Sequence, residues 1–140
     1  MHLILPNKGD QYDEMLKFEQ PGLYELPYVN HETIATLFDS LSIQNIIVLL
    51  NRVLLDTSNL FVSEDITKLV NCCEAIKALI FPFKYEVVYV PHLPKGFLTI
   101  LEVPAVFMLG VERKLFDEAM NIIKDDAWII DIDNNVIKPT

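Results

Sequence analysis

Glycine is scarce in this chain. Four glycines in 140 residues are too few to build phosphate-cradling loops, and neither a G-x-G-x-x-G nor a Walker pattern occurs, which argues against a bound dinucleotide or nucleoside triphosphate. Cationic side chains are also few. Eleven Lys and Arg stand against twenty Asp and Glu, a net charge of −9 and a pI near 4.6. The chain therefore lacks the basic face that displaces counterions from nucleic acid or docks on an anionic membrane. Arg52, Arg113 and the scattered lysines read as solvated side chains, and the expected partner is a protein. No apolar run approaches the roughly 18 residues of a membrane-spanning helix, so direct membrane insertion is not expected. The 51% hydrophobic content must then sit in a core or an interface. The only cysteines, Cys72 and Cys73, are adjacent in a helical pattern, one toward the core and one on its flank. Neighbouring cysteines rarely bridge, so both read as reduced packing residues. His2, His31 and His92 are far apart, in no ligand spacing and beside no nucleophile pattern; His92 reads as a solvated loop residue. Met1 to Asp10 form neither a secretory signal nor a basic presequence, which leaves the cytoplasm as the expected location.

What is present is one domain's worth of alternating elements. The first thirty residues, with Pro6, Pro21, Pro27, Gly9 and Gly22 around short apolar runs at Leu3–Leu5 and Met15–Phe18, predict a strand pair or irregular arm. Asn30 then offers a cap for a helix over His31–Ser40. Ser42 caps a second helix running to about Asp56 and apolar nearly all round, which predicts burial on most sides. Asn59–Val62 reads as the first buried strand. Ser63-Glu64-Asp65 caps a helix with a stripe of Ile66, Leu69, Val70, Cys73, Ile76 and Ile80, ending before Pro82. Further strands are predicted at Glu86–Val90, Ala105–Leu109 and Ala127–Ile132, with helices at about Lys95–Leu101 and Arg113–Lys124 between them. The buried face of the latter is Leu115, Phe116, Ala119, Met120 and Ile123. Strands written as continuous apolar runs and alternating with helices predict an α/β fold. The expected architecture is an open, mostly parallel, Rossmann-like three-layer sandwich over residues 31–140 with an arm over 1–30.

In such sheets, ligands bind beyond the carboxyl ends of the strands, which directs attention to Ser63–Asp65, Pro91–Gly96, Gly110–Arg113 and Asp131–Asn135. Asp131 and Asp133 fall on the same side of a strand end, and two carboxylates so placed can hold Mg²⁺ for phosphoryl transfer. Against that stands a polar turn in which Asp131 bonds neighbouring backbone, a routine use of Asx residues. No metal or other cofactor is expected. Geometry alone nominates His92, Lys95, Gly96, Arg113 and Asn134 as partner contacts.

Five segments resemble one known family in order. Asp39–Leu50 (DSLSIQNIIVLL, preceded by Phe38) is similar to the helix that opens the central lobe of DENN domains, and Leu54–Ser63 (LLDTSNLFVS) to the family's LLERRVLFVS. Ala78–Pro94 resembles LLYPF.WQHVYIPVLP through Phe81, Pro82, Phe83, Pro91, Leu93 and Pro94, framing an apolar strand that reads as crossing the core. Val103–Val111, with Gly110, resembles APVPFLIGV, and Ile129–Asn134, with Asp131 and Asp133, resembles VVDLDN. The departures are Asp56-Thr57-Ser58-Asn59, where the family has a basic pair, and Lys84-Tyr85-Glu86, where it has a tryptophan-glutamine-histidine run. The resemblance implies the central α/β lobe of a guanine-nucleotide exchange factor for Rab-type small GTPases in vesicle trafficking, working by differential binding without covalent chemistry of its own. A non-catalytic scaffold of the same fold in a trafficking or nutrient-sensing complex is the alternative. In the family a longin-like lobe precedes this one and a helical subdomain follows it; neither fits in 140 residues. A lobe apart from those neighbours is expected to expose an apolar face and to self-associate or require a partner. Recruitment to endomembranes through partners is also implied.

Overall fold

The computed structural model of the chain describes residues 2–4, 15–17, 30–123 and 126–140. Strands β1 (His2–Ile4) and β2 (Met15–Lys17) pair antiparallel, the strand pair predicted for the arm; the remainder of the arm lies outside the described residues. Helices α1 (His31–Ser40) and α2 (Ile43–Leu54) follow, then β3 (Ser58–Ser63), α3 (Ile66–Leu79) and β4 (Val88–Val90). A 3₁₀ helix at Lys95–Glu102, β5 (Phe107–Glu112), a 3₁₀ turn at Arg113–Leu115, α4 (Phe116–Ile122), β6 (Ala127–Asp131) and β7 (Val136–Pro139) complete the order.

The main sheet has five strands in the order β4-β5-β3-β6-β7. The first four are parallel and β7 returns antiparallel to β6. Consecutive side chains of a strand point to opposite faces, and each face here has its own core. Phe61, Met108 and Ile130 pack under α1, α2 and α3, whereas Leu60, Val62, Leu109, Val111 and Ile129 pack with the Lys95–Glu102 helix and α4. Both faces being covered explains why β3 and β5 read as unbroken apolar runs. The three-layer α/β sandwich is therefore as predicted.

Caps act where the sequence placed them. The Asn30 side chain accepts from Glu32 N, Ser42 from Asn45 N, and Asp65 from Thr67 N and Lys68 N. Cys72 and Cys73 are both fully buried free thiols, because α3 lies between the sheet and α1 and is covered on more than one side. Removal from water pushes the Cys72 thiol up to about 11.

Several boundaries differ from expectation for identifiable reasons. The Lys95–Leu101 helix is 3₁₀ rather than α and runs to Glu102. The predicted Arg113–Lys124 helix opens as a 3₁₀ turn and its α part is only Phe116–Ile122; Lys124 lies outside the described residues. β5 begins two residues later than predicted and carries Gly110, Val111 and Glu112 as strand rather than loop. Their side chains are as apolar as the rest of the run up to Glu112, so composition could not place the exit. β7 was not anticipated, since its residues are mostly exposed and carry no apolar alternation. Helix α2 ends at Leu54 and is not buried all round: Ile46, Leu49 and Val53 pack inward, while Ile43, Ile47, Val48 and Leu54 are exposed, as is Leu55 just beyond. Ile66, assigned to the buried stripe of α3, is 41% exposed.

The proline-framed segment is corrected most. Its strand is β4, three residues long and half-buried at the sheet edge, and the central strand is β3. Proline cannot donate to a ladder and is confined to edges and strand ends, so the frame marks an edge rather than a core crossing. Phe83 is 66% exposed whereas Leu93 is 1% exposed. Tyr89 ties this edge to α3, donating to Glu74 Oε1 at 2.7 Å with Lys77 over its ring.

Candidate functional site: the carboxyl edge of the sheet

Two crossovers leave neighbouring strands in opposite directions. α3 departs from β3 over one face and the Arg113–Ile122 segment departs from β5 over the other, so the carboxyl ends of β3 and β5 form the topological switch point where α/β sheets place ligands. Register sets Ser63 beside Glu112 and Val62 beside Asp131. The backbone N–H of Ile132 donates to Val62 O at 3.0 Å, carrying the alignment past the last strand residue. Residues from three strand ends therefore converge.

Arg113 is the centre of that convergence. It donates through Nη1 to Asp131 Oδ2 at 2.6 Å and through Nη2 to Asp131 Oδ1 and, at 3.0 Å, Asp133 Oδ2. Asp133 also accepts from Ser63 Oγ at 2.9 Å, from the Glu64 N–H at 2.8 Å and from Lys68 Nζ at 3.0 Å. Asn134 donates to Asp131 from its backbone N–H and its side chain. Arg113 chiefly, with Asn134, holds the Asp131 carboxyl down to about 2 against its partial burial. Burial opposes ionisation of Asp133, yet Arg113, Glu64 N, Lys68 and Ser63 together keep it well below the usual carboxylate range.

The two readings of Asp131 and Asp133 can be set against this arrangement. Both carboxylates do face one side, as their spacing predicted. A guanidinium and an ammonium occupy the position a divalent ion would need, so two cationic groups balance two carboxylates within the cluster. The groups close the crevice between β3 and β5 and brace the ends of β3, β5 and β6. They form a frame. Arg113 and Asn134 both bond Asp131, Arg113 half-buried and Asn134 still exposed.

The other nominated residues sit on the neighbouring exit loop of β4. Gly110 receives the loop's backbone: Leu93 N donates to Gly110 O at 2.7 Å, and a Cβ built on Gly110 would lie 2.1 Å from Pro91 O. His92 is not simply solvated; its Nε2 lies 3.2 Å from Glu112 Oε1, whose other oxygen pairs with Lys114. Those two partners hold the Glu112 carboxyl below its ordinary value. Lys95 reaches Glu118 Oε1 at 2.6 Å, and Gly96 has open space about it. His92 thus pairs with the end of β5 and Lys95, at the start of the 3₁₀ helix, with α4, while Arg113 and Asn134 belong to the frame.

Phe97 and Lys68 were not singled out in the sequence, and Asn135 was read only as part of a polar turn. Phe97, beside Gly96, is 67% exposed although Leu98 next to it is buried; a 3₁₀ helix turns neighbours apart in a way composition does not reveal. Lys68 reaches Asp133 from the first turn of α3. Asn135, at φ 52, accepts from Ser42 N at 2.9 Å and Asn45 Nδ2 at 2.8 Å, fastening α2 to the β6–β7 turn. Asn in the left-handed region was the one available signal for that turn.

Comparison with known proteins follows this geometry. The DENN (AEX-3) domain family matches residues 4–135. Elicitor of plant defense protein 1 of Verticillium dahliae is 31% identical over 121 residues, 86% of this chain and 10% of that protein. DENN domain-containing protein 2A of mouse and of human is 27% identical over 132 residues, 94% of this chain. The chain spans only about a tenth to an eighth of the length of these relatives.

Proposed function

Since this chain belongs to the DENN (AEX-3) domain family, we propose that it is the central lobe of an exchange factor that binds a Rab-type small GTPase and promotes release of GDP, acting together with a longin-like lobe of the same or another chain. The family match across residues 4–135 carries the reading. The carboxyl edge is consistent with it: a braced frame and an exposed loop suit protein contact. Exchange needs no covalent chemistry. A partner that prefers the nucleotide-free GTPase weakens nucleotide affinity by the same factor, by linkage. The exit loop offers the contact surface, with His92, Lys95 and Gly96 flanking Phe97, an exposed aromatic of the type that anchors interfaces. The protein would act in the cytoplasm and reach endomembranes through its partners.

A second reading is favoured by one observation. Arg113, Asn134 and Lys68 are all engaged internally, leaving few free polar groups at the switch point to reshape a GTPase, as suits a non-catalytic scaffold of a trafficking or nutrient-sensing complex. Release of fluorescent GDP from a panel of Rab proteins separates the readings, with the chain tested alone and with a longin-like half of a related DENN protein. Faster release with both halves present is expected. Stable binding with unchanged release identifies the scaffold, and neither binding nor acceleration in either format rejects both.

A further inference from the structure

The chain has two arginines, and the structure uses them in opposite ways. Arg113 commits the edge of its guanidinium to Asp131 and Asp133. Arg52, at the other end of the sheet, commits its face: Cζ lies 3.9 Å from the ring centroid of Trp128. Stacking fixes the plane of the guanidinium but uses none of its N–H groups, whose rigid fork matches a carboxylate. Among the described residues, no side-chain hydrogen bond or ion pair engages the Arg52 guanidinium; outside the helix ladder, only its carbonyl oxygen is used, accepting from Thr57.

Arg52 lines a groove. A cavity of about 540 Å³, within the roughly 300–1,000 Å³ range of ligand sites, runs along the amino edge of the sheet. Arg52, Asp56, Asp126 and Trp128 line one part of it, and the Val103–Phe107 segment supplies an apolar wall. The groove thus holds a cation over an aromatic plate beside an apolar wall.

We propose that this groove binds a peptide segment of a partner protein, an acidic side chain pairing with the Arg52 fork and an adjacent apolar side chain lying on the Val103–Phe107 wall. Asp56 and Asp126 restrict the anion: a phosphate dianion would meet two carboxylates, whereas a single carboxylate meets the guanidinium head-on and leaves them to accept peptide N–H groups. The site is at the opposite end of the sheet from the exit loop and does not rest on the GTPase reading.

Trp128 is the only tryptophan, so its fluorescence reports on this groove alone. The intact chain is titrated with the blocked tetrapeptide alanyl-glutamyl-leucyl-alanine amide, with its glutamine counterpart and with inorganic phosphate. A saturable change with the glutamyl peptide is expected, at least about tenfold weaker with the glutaminyl peptide, which is the scale of one charge-assisted pair. Phosphate should be weaker than the glutamyl peptide. In Arg52→Gln, with unchanged far-UV circular dichroism, the two peptides should become equivalent. Should that variant not fold, the peptide pair on the unaltered chain decides. Equal responses to both peptides, a phosphate response as tight as the glutamyl one, or no saturable change up to about 10 mM, weaker than any useful contact, overturns the proposal.

Discussion

Arg113 grips Asp131 with both terminal nitrogens, joining the end of β5 to the end of β6 across the intervening central strand, Nη1 to Oδ2 at 2.6 Å. The pair is partly screened by solvent, with side chains 29% and 18% exposed, so its worth is moderate. Arg113→Ala should lower stability in urea by about 1–2 kcal/mol, part of it from leaving two carboxylates facing each other. Arg113→Lys should recover little, because an ammonium cannot reproduce the two parallel bonds. A lysine variant as stable as the parent would show that charge alone matters here.

Acid should weaken the same frame in a defined window. Asp131 has its folded pKa depressed to about 2, and Asp133 is depressed as well. A depressed carboxylate contributes stability above its unfolded value of about 4, lost as pH falls through the folded value. Urea midpoints should thus decline most steeply between about pH 4 and pH 2. Asp131→Asn should be less stable at neutral pH with a shallower acid limb; an unchanged limb would place the acid sensitivity elsewhere.

Two glycines should respond oppositely to alanine. At Gly110 the new methyl would lie 2.1 Å from the Pro91 carbonyl oxygen, a backbone atom that cannot rotate away. Overpacking of this kind costs about 1–3 kcal/mol or more. At Gly96 nothing lies within 4 Å, so alanine there should leave the melting temperature nearly unchanged. A tolerated Gly110→Ala would mean that β5 and the β4 exit loop are not held in this contact.

The outer face of α2 exposes Ile43, Ile47 and Leu54, with Leu55 beyond its end 70% exposed. Water contact over several large apolar side chains favours association. Sedimentation should reveal concentration-dependent self-association or hydrophobic-dye binding, reduced in Ile47→Gln/Leu55→Gln. A strict monomer that binds no dye at high concentration would leave this face without a role in assembly.

The caps Asn30, Ser42 and Asp65, the buried run of β3 and the α/β alternation were readable along the chain because each is local: a side chain bonding its own helix start, or a run of apolar residues under two layers. The ordered motifs likewise sufficed for the family. Edge and centre were not readable. Val88–Val90 and Leu60–Val62 are similarly apolar, and only the pairing order distinguishes a half-buried rim from the middle of the sheet. The candidate contacts divided for the same reason, since nothing in the sequence shows that Arg113 meets Asp131 and Asp133 while Lys95 stays near the surface.

What the sequence determined by itself, then, was the set of elements, their class and the absence of phosphate-cradling loops. The tertiary structure alone decided which charges neutralise one another and which remain available. A guanidinium has the same chemistry at positions 52 and 113. At one it is consumed edge-on by carboxylates that the β3–β5–β6 register brings together, and at the other it lies over Trp128 with its donors unused among the described residues. Such differences arise from contacts between residues distant in sequence, which no local pattern encodes.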